Sequence, residues 1–586
     1  MCGIVGYVGK REAAPILLEA LKRLKYRGYD SAGMCTLFDG RLLVKKDRGK
    51  IEEIEERLKL SELLGNIGLG HTRWATHGEP SQRNAHPHLD CKGEVAVVHN
   101  GIIENYLELK RFLEGKGYAF SSDTDSEVIP NLISYYLRTG AALADAVRMA
   151  CLKLRGSFAL GILCIREPGK IIGVRKESPL IVGIGRGEMF LSSDIPAILK
   201  FTRKVIPLCD WEMVELTADG MKISSLETRK PVKRKPLVVK WTLQVAEKMG
   251  YPHFMLKEIF EQPTAVRETL RSDPVVLRKL CEEMEKAKRV YLVGCGTSYH
   301  ASLVGKYLLS KLAGLSVDAV LSSEFLESCK IERGELVIAI TQSGETADTL
   351  KAARAAKENG AKVACLVNVV GSTITRESDL TCYIHAGPEI SVVATKTFTS
   401  QLAYLLRLAL SLSSRKLNLL RLPEMMETVL KQVQLEVKKL ASRYQSIEDI
   451  YLISRGIGYP IAMEGALKLK EVAYIHAEAM AGGELKHGTL ALIEEGTPVI
   501  AIVPPGEVRS RMFSNIQEVR ARGAKVVGVA SEKIPDVETF VLPPCDEILF
   551  PFLSILPLQL LAYYLAVKRG CDPDRPRHLA KSVTVE

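Results

Sequence analysis

The segment Val290-Tyr-Leu-Val-Gly-Cys-Gly-Thr-Ser-Tyr299 is a short apolar run that ends in glycines and hydroxyl-bearing residues. A near copy, Ile450-Tyr-Leu-Ile-Ser-Arg-Gly-Ile-Gly-Tyr459, follows at an offset of 160 residues, and residues 334–340 recur at 496–502, an offset of 162. Short apolar runs that alternate with long helical patterns are typical of βαβ units. Because the two recurrences have nearly the same offset, the sequence predicts two copies of one doubly wound, parallel-sheet domain.

The rest of the domain organisation follows from length and composition. A chain of 586 residues is too long for a single core. Residues 1–220 carry short strand patterns and two helical patterns, and a basic run with two prolines marks a connector that we place at 221–250. We therefore expect an α/β multidomain protein whose first repeat copy spans 280–420 and whose second spans 440–575, with a polar tail at 576–586.

Charge, cysteine content and hydropathy narrow the class of protein. The net charge of +11 is spread along the chain, which suits small anionic substrates and gives little support to nucleic-acid binding. The 13 cysteines include no Cys-x-x-Cys pair, so we expect reduced thiols in the cytoplasm and neither disulfides nor a zinc site. Residues 549–567 carry no charge but contain Pro551 and Pro557, and we expect a buried helix there and not a membrane span.

Two loops of the first repeat copy have the composition of an anion site. Val293-Gly-Cys-Gly-Thr-Ser298 and Thr341-Gln-Ser-Gly-Glu-Thr346 each follow a predicted strand and precede a predicted helix. Hydroxyls and free backbone amides at helix N-termini bind phosphate, and the helix dipole adds to the attraction. The second copy has Val503-Pro-Pro-Gly-Glu507 at the equivalent place and has lost the hydroxyl donors, so we expect the phosphate in the first copy.

The second copy carries candidate proton-transfer groups. Lys468 and Glu471 are three residues apart and share a helix face, a spacing that by itself is often a surface ion pair. His487 lies in Glu484-Leu-Lys-His-Gly488, between a predicted helix and a predicted strand. A carboxylate, an amine and an imidazole near a sugar phosphate are a suitable set for moving a proton between adjacent carbons.

The N-terminus offers a candidate nucleophile. A small second residue generally permits removal of Met1, and the thiol of Cys2 would then share its Cα with a free α-amine. An α-amine has a pKa of about 7.7–8.0, so it can accept the thiol proton near neutral pH. A small residue at position 2 also occurs for reasons unrelated to catalysis, so this reading depends on what accompanies Cys2.

Three further segments complete a set suited to glutamine hydrolysis. His71-Thr-Arg-Trp-Ala-Thr-His77 offers an arginine that can hold an α-carboxylate through two parallel hydrogen bonds. The side chain of Asn100 and the amide of Gly101 are a plausible oxyanion site, and Asp125 can accept an α-ammonium group. Each of these residues alone could have a purely structural role. Together with an N-terminal cysteine, they favour an enzyme that hydrolyses the glutamine amide.

The motifs resemble those of a known family. The first half is similar to class II glutamine amidotransferases of the N-terminal nucleophile type in four segments: Cys2-Gly-Ile-Val-Gly6, Tyr26-Arg-Gly-Tyr-Asp-Ser-Ala-Gly33, His71-Thr-Arg-Trp-Ala-Thr-His-Gly78 and His99-Asn-Gly-Ile-Ile-Glu-Asn105. With the repeated sugar isomerase (SIS) pattern, His253-Phe-Met-Leu-Lys-Glu-Ile-Phe-Glu-Gln-Pro263 and Leu579-Ala-Lys-Ser-Val-Thr-Val-Glu586, the whole chain resembles the glutamine–fructose-6-phosphate aminotransferase (isomerising) family, or glucosamine-6-phosphate synthases.

The resemblance implies a fold and a reaction. The fold would be an N-terminal nucleophile αββα sandwich followed by two SIS domains and a catalytic tail. The reaction would convert D-fructose 6-phosphate and L-glutamine to D-glucosamine 6-phosphate and L-glutamate, the first step of hexosamine and UDP-N-acetylglucosamine synthesis. It needs no cofactor and no metal. The resemblance further implies a cytoplasmic homodimer that binds neither nucleic acid nor a membrane.

The resemblance also implies residue roles. Cys2 would form a γ-glutamyl thioester, with Asn100 and Gly101 at the oxyanion, and Trp74 would gate the passage of ammonia. Glutamine would be held by Arg73, His77 and Asp125. At the sugar site, His487 would assist ring opening, Lys581 would form a Schiff base, and Glu471 would move a proton between carbons 1 and 2, aided by Lys468. The sugar phosphate would be bound by Thr297, Ser298, Gln342, Ser343 and Thr346.

Some positions depart from the family pattern, and other functions remain open. His578 stands where asparagine is usual, Ala394 replaces a hydroxyl residue, and Thr489 replaces a proline. A phosphoribosyl amidotransferase would share the first half but needs a diphosphate-binding loop in place of two SIS copies. Another glutamine-dependent sugar-phosphate amidotransferase, or a non-catalytic sugar-phosphate sensor, also fits part of the pattern. A deaminase running in reverse would not need the first domain.

Overall fold

The computed structural model describes residues 2–25, 27–74, 77–239 and 248–583. Tyr26 of the N-terminal motif, residues 75 and 76, residues 240–247 of the predicted connector and the last three residues of the predicted tail lie outside the described residues. The chain divides into two compact units, one formed by Met1–Ala246 with Ala580–Glu586 and the other by Glu247–Leu579.

The first unit contains two antiparallel sheets. Over its described residues the strands are β1 Gly3–Val8, β2 Ser31–Phe38, β3 Arg41–Arg48, β4 Ile67–Arg73, β5 His88–Leu89, β6 Val95–Ile103, β7 Gly156–Cys164, β8 Ile171–Lys176, β9 Ile181–Ile184, β10 Met189–Ser192, β11 Lys204–Pro207, β12 Glu212–Thr217, β13 Gly220–Ser225 and β14 Leu237–Val238. The first sheet has the order β14-β11-β9-β10-β1-β4-β2-β3 and the second β13-β12-β8-β7-β6-β5.

Helices cover the outer faces of both sheets. The helices described in this unit are α1 Ala13–Lys22, α2 Ile51–Leu58, α3 Tyr106–Glu114, α4 Val128–Arg138, α5 Leu143–Cys151 and α6 Ile195–Ile198. One apolar core joins the two sheets and includes Ile4, Val98 and Val214, all fully buried. A second core lies between the other face of the second sheet and α3–α5, and α1 packs against β1 and β4. The predicted αββα sandwich is therefore confirmed.

Two details of this unit differ from the sequence prediction. The prediction of two helices was wrong, because six occur among the described residues. The extra helices α4 and α5 are amphipathic, and their apolar sides cover a sheet face that would otherwise be exposed to water. The predicted connector is also partly structured, since β13 pairs with β12 and β14 pairs with β11.

The second unit contains the repeat. Its first copy comprises α7 Phe254–Leu270, α8 Pro274–Lys286, β15 Val290–Gly294, α9 Thr297–Ala313, β16 Asp318–Leu321, α10 Phe325–Ser328, β17 Leu336–Thr341, α11 Ala347–Glu358, β18 Lys362–Val367, α12 Ile374–Glu377, β19 Leu380–Tyr383 and α13 Lys396–Ser411. Its second copy comprises α14 Leu422–Arg443, β20 Asp449–Ser454, α15 Tyr459–Ala473, β21 His476–Ala481, β22 Pro498–Val503, α16 Val508–Arg520, β23 Lys525–Ala530, β24 Glu538–Val541 and α17 Phe550–Lys568.

Both copies have the same topology. The parallel sheets have the orders β16-β15-β17-β18-β19 and β21-β20-β22-β23-β24, so strand for strand the arrangement repeats. The predicted pair of doubly wound domains is confirmed. One continuous apolar core contains strand residues of both sheets, such as Leu292 and Leu452, together with helices of both copies. Helix α9 packs against α15, so the helices that follow the first strand of each copy are in contact.

The uncharged stretch near the C-terminus forms α17. Among the described helices, α17 is the one whose length and hydropathy would suit a membrane span. However, 89% of its 18-residue apolar window is buried inside the second unit, where it packs against α14 and α15. Such burial is typical of a core helix in a large domain.

Candidate active sites

The sulfur of Cys2 lies at the entrance to strand β1, near the middle of the first sheet. The backbone N–H of Trp74 donates a hydrogen bond to Sγ at 3.2 Å, and the carbonyl oxygen of Trp74 lies 3.5 Å from the same sulfur. Burial raises the pKa of the Cys2 thiol, and the Trp74 N–H offsets this only in part. The thiol is therefore protonated at neutral pH, and its use as a nucleophile requires a base.

Asn100 and Gly101 lie on β6, close to Cys2. The Nδ2 group of Asn100 donates to the carbonyl oxygen of Cys2 at 2.9 Å, which leaves one of its two amide protons for another acceptor. Gly101 has φ +128°, and a Cβ at this position would lie 2.0 Å from the carbonyl oxygen of Ser157. This backbone therefore admits only glycine at position 101.

A neutral histidine fixes the orientation of Asn100. The Nε2 of His71 is 3.0 Å from the Oδ1 of Asn100, so it carries the proton and the amide nitrogen faces Cys2. Burial lowers the pKa of His71 to about 3. The ring centroids of His71 and His86 are 4.2 Å apart, and those of His86 and His88 are 4.5 Å apart. Burial also lowers the pKa values of His86, His88 and His99. Sequence reasoning missed this cluster of neutral imidazoles, although Asn-Ala-His-Pro-His was a visible signal.

The three residues predicted to hold glutamine are buried or half-buried. Arg73 is 3% exposed, and its Nη2 donates to the carbonyls of His77 and Gly78, whereas Nη1 is buried without a hydrogen-bond partner among the described residues. Asp125 accepts the backbone N–H of Ile103 at 2.7 Å, on the same strand that carries Asn100. A buried, unsatisfied guanidinium donor is costly, and a carboxylate ligand would satisfy it.

In the second unit, the two predicted anion-binding loops follow β15 and β17, which are neighbours in the sheet. The strand order reverses between these two strands, and ligands of doubly wound folds bind at that place. The hydroxyl of Ser298 accepts a hydrogen bond from Gln401 at 2.9 Å and keeps its own proton for another acceptor. On the second loop, Ser343 accepts the N–H of Glu345 and Thr346 lies 3.3 Å from the hydroxyl of Thr341, while Gln342 is half-buried beside them.

Lys468 and Glu471 belong to a buried ionic cluster, so the alternative of a surface ion pair is wrong. Lys468 is fully buried, with Nζ 2.7 Å from Glu471 and 3.1 Å from Glu464. Glu471 is 22% exposed and lines a cavity of about 330 Å³ together with Tyr474 and Leu579. Burial opposes the charge on Lys468, but the two carboxylates outweigh it and raise the pKa of Lys468 above its usual value.

Sequence reasoning missed two members of this cluster, Glu464 and His300. Glu464 is fully buried, and burial opposes its ionisation, yet Lys468 and His300 lower the pKa of Glu464 below its ordinary value. The available signal for Glu464 was its spacing of four residues from Lys468 on the same helix. His300 had no comparable signal, because its partner Glu464 is distant in sequence.

Three predicted residues, His487, Lys581 and Trp74, are not part of the clusters described above. His487 is exposed in a 3-10 turn, Leu485–His487, and this turn lies between strands β21 and β22, so the predicted place between a helix and a strand was wrong. Lys581 is half-buried in the terminal segment that groups with the first unit, and the ring of Trp74 is 6.2 Å from that of Tyr29.

The three departures from the family pattern have distinct settings. Ala394 contributes its carbonyl oxygen, which accepts from Lys468 at 3.3 Å, and any side chain leaves this contact available. His578 has φ +60°, a left-handed conformation that asparagine adopts more readily than most residues. Thr489 begins the 3-10 turn Thr489–Leu492.

Comparison with known proteins shows the family of each part. A family model described as a glutamine amidotransferase domain matches residues 71–200, and one described as an SIS domain matches residues 283–411 and 444–569. Two curated proteins named glutamine–fructose-6-phosphate aminotransferase (isomerizing) match over the full length of both chains, at 50% identity in Thermococcus kodakarensis and 51% in Methanothermobacter thermautotrophicus.

A solved structure also matches the second unit. It is the C-terminal domain of glucosamine-fructose-6-phosphate aminotransferase from Francisella tularensis, with a TM-score of 0.52 and 36% sequence identity. The match covers 56% of this chain and 99% of that structure.

Proposed function

This chain belongs to the glutamine–fructose-6-phosphate aminotransferase (isomerizing) family, and we propose that it transfers the amide nitrogen of L-glutamine to D-fructose 6-phosphate, giving D-glucosamine 6-phosphate and L-glutamate. The observation that carries the proposal is that one chain holds both a half-buried thiol beside an amide donor and a buried lysine–glutamate cluster beside phosphate-type loops. The first set suits amide hydrolysis and the second suits proton transfer on a phosphorylated sugar.

In the first half-reaction, Cys2 acts as the nucleophile. The free α-amine of processed Cys2 takes the thiol proton, and Sγ attacks the γ-carbonyl carbon of glutamine. The negative oxygen that forms is held by the spare amide proton of Asn100 and the N–H of Gly101. Collapse of the intermediate releases ammonia and leaves a γ-glutamyl thioester, which water hydrolyses to glutamate. The Nη1 of Arg73, which has no hydrogen-bond partner among the described residues, supports a role in holding the substrate carboxylate, with His77 and Asp125 holding the rest.

In the second half-reaction, the sugar phosphate binds at the two loops of the first SIS copy, at Ser298, Gln342, Ser343 and Thr346 and at the start of α9. His487 assists ring opening, and Lys581 forms a Schiff base with the carbon-2 ketone, releasing water.

Ammonia then displaces Lys581 from carbon 2. Glu471 removes a proton from carbon 1 and returns it to carbon 2, which gives an aldehyde at carbon 1 and an amine at carbon 2 with no net oxidation. Ammonia that escaped into water would be protonated and lost as a nucleophile, so the reaction needs a dry passage that Trp74 gates. We further propose a cytoplasmic homodimer.

The experiment is to incubate the processed chain with glutamine and fructose 6-phosphate and to measure glutamate and glucosamine 6-phosphate. Equimolar formation of both supports the proposal. Glutamate without any amino sugar would contradict the synthase function. Phosphoribosyl diphosphate in place of fructose 6-phosphate serves as the matched acceptor control, and amine transfer to it would favour the alternative amidotransferase.

A further inference from the structure

Residues 573–577, which lead into the C-terminal tail, are held at two points in the second unit. At the first point, the carboxylate of Asp574 accepts the backbone N–H groups of Phe254 at 2.9 Å and Met255 at 2.8 Å, at the start of α7. Asp574 is buried, and its carbonyl oxygen accepts the backbone N–H of Val392 at 3.1 Å. The segment is therefore fixed both to α7 and to the loop that precedes α13.

At the second point, Arg577 lies against Tyr474. The backbone N–H of Arg577 donates to the hydroxyl oxygen of Tyr474 at 2.7 Å, and its guanidinium carbon is 4.2 Å from the centre of the Tyr474 ring. The face of an aromatic ring attracts a cation placed over it. Tyr474 directly follows α15, the helix that carries Glu471, and Glu471, Tyr474 and Arg577 line the same cavity of about 330 Å³. The second point thus lies beside the proposed proton-transfer base.

The backbone at Tyr474 does not favour a tyrosine. Its φ of +55° and ψ of +38° lie in the left-handed region, which glycine adopts freely and most other residues adopt at a cost. An offset of 160 residues pairs Tyr474 with Gly314, which caps α9 with φ +65°. Both helices therefore end in the same left-handed turn, and the second copy has tyrosine where this conformation favours glycine.

The contacts of Tyr474 give a reason for this choice of residue. Its hydroxyl and its ring both contact Arg577, and glycine could make neither contact. We propose that Tyr474 is a positioning residue for the tail: it holds the chain at Arg577, four residues before Lys581, while Asp574 fixes the other end of the held segment. This inference rests on the proposed function, in which Lys581 forms the Schiff base.

Holding the tail at two points predicts which kinetic parameter changes. Chain termini fray unless they are tied down, and each residue of a frayed tail loses backbone entropy when it is ordered for reaction. Because residues 574–577 are already held, this cost falls only on the residues beyond Arg577. The two contacts should therefore raise turnover, and they should leave the binding of the sugar phosphate at its loops unchanged.

Two variants of Tyr474 test the proposal. Tyr474→Phe removes the hydrogen-bond acceptor and keeps the ring, whereas Tyr474→Gly removes both contacts. We expect the turnover number for glucosamine 6-phosphate formation to fall about 3- to 10-fold in Tyr474→Phe and about 10- to 100-fold in Tyr474→Gly. The rate at which borohydride attaches fructose 6-phosphate to Lys581 should fall in parallel. Inhibition by inorganic phosphate should change less than about 2-fold.

Trypsin measures release of the tail without reference to catalysis. Cleavage after Arg577, detected by mass as the loss of residues 578–586, requires local opening of the held segment. We expect Tyr474→Phe to accelerate this cleavage about 3- to 10-fold. The Tm of Tyr474→Gly should stay close to that of the unmodified chain, because relief of the backbone offsets the lost contacts. A role limited to packing would lower Tm and leave the attachment of sugar to Lys581 unchanged.

The second unit offers a matched control for each point. Tyr564→Phe removes a hydroxyl that accepts a hydrogen bond from Gln434 at 2.8 Å, and it should change neither tryptic cleavage nor sugar attachment. Asp574→Asn should slow sugar attachment. Asp273→Asn should not, although Asp273 likewise accepts a backbone N–H at a helix start, that of Val275 on α8 at 2.8 Å.

The outcomes separate this inference from the function on which it rests. If the unmodified chain forms no glucosamine 6-phosphate, the proposed function fails, and the tryptic comparison still decides whether Tyr474 holds the tail. If the amino sugar forms and Tyr474→Gly matches the unmodified chain in turnover and in sugar attachment, the positioning role is wrong. Equal tryptic cleavage of Tyr474→Phe and the unmodified chain would also overturn it.

Discussion

The backbone of Trp74 makes two hydrogen bonds with the sulfur of Cys2: its N–H donates to Sγ at 3.2 Å, and its carbonyl oxygen accepts from Sγ at 3.5 Å. The residue that we propose as the ammonia gate is thus hydrogen-bonded, through its main chain, to the sulfur that we propose as the nucleophile. A shift of the Trp74 backbone during gating would weaken the one backbone N–H that lowers the pKa of the buried thiol. If Trp74 is the gate, as we propose, opening of the passage would therefore change the reactivity of the sulfur.

Replacement of Cys2 should separate the two half-reactions. We expect Cys2→Ala to reduce glutamine hydrolysis by roughly 10⁴-fold or more, because it removes the thiol that we propose forms the thioester, while isomerisation of fructose 6-phosphate continues. Release of glutamate and of glucose 6-phosphate are the measurements. The exposed Cys91 provides the matched control as Cys91→Ala, which should retain both activities. Continued turnover of glutamine by Cys2→Ala would show that the nucleophile is misassigned.

Replacement of Lys581 should have the reverse effect. Lys581→Ala is expected to hydrolyse glutamine but to form no amino sugar, because the Schiff base cannot form. Borohydride added with fructose 6-phosphate should attach the sugar covalently to the unmodified chain, and peptide mass analysis should locate it on Lys581. The exposed Lys533 serves as the control, as Lys533→Ala. Trapping of the sugar at another lysine would refute the assignment.

The backbone at position 101 should tolerate no side chain. Gly101→Ala places a Cβ against the Ser157 carbonyl, and we expect a loss of at least about 2 kcal/mol in free energy of unfolding together with loss of glutamine hydrolysis. Gly93→Ala is the matched control, since its φ is also positive, +71°, but no atom of the described part of the chain lies within 4 Å of the new Cβ. Its cost should be only about 1–2 kcal/mol. Equal costs in denaturant unfolding would contradict the contact argument.

The buried histidines should make the first unit sensitive to acid. His71 has a pKa of about 3 in the folded protein and 6.5 as its ordinary value, so the unfolded chain binds the proton more readily. The stability contributed by neutral His71 is complete above pH 6.5 and is lost as the pH falls towards 3. The total loss of free energy of unfolding over this range is about 5 kcal/mol. His86, His88 and His99 act in the same direction.

Tryptophan fluorescence can follow this acid transition selectively. Trp74 and Trp211 belong to the described part of the first unit, so their emission reports on that unit in the intact chain, whereas Trp241 lies outside the described residues. His71→Gln retains a donor to Asn100 without a titrating group, and we expect its acid midpoint to move to lower pH. His476→Gln, an exposed position of the second unit, should leave the midpoint unchanged. An unchanged midpoint in His71→Gln would refute the role of this imidazole.

Much of the fold could be predicted from the sequence, because strand patterns can be recognised in short segments and a repeat can be recognised by comparing two segments of the chain. The offset between residues 290 and 450 predicted two sheets of one topology, and both have the same strand order. The helices α4 and α5 were missed because their apolar residues are explained only by the face of the second sheet against which they pack. Local periodicity does not state which surface a segment will meet.

Some residues of the candidate sites could likewise be predicted from short stretches of sequence, and others could not. Cys2, Asn100 and Lys468 stand out through residue type and spacing, whereas His300 and Glu464 interact across 164 residues. Their roles depend on the contact between α9 and α15, which no short window of sequence contains. The neutral state of His71 likewise depends on burial, which is a property of the folded chain.

The packing of α9 on α15 has an evolutionary consequence. Each repeat copy retains a full five-stranded sheet, yet the ion cluster takes Thr297 and His300 from one duplicate and Glu464 and Lys468 from the other. A gene that encoded one copy alone would therefore lack two of the four side chains of this cluster.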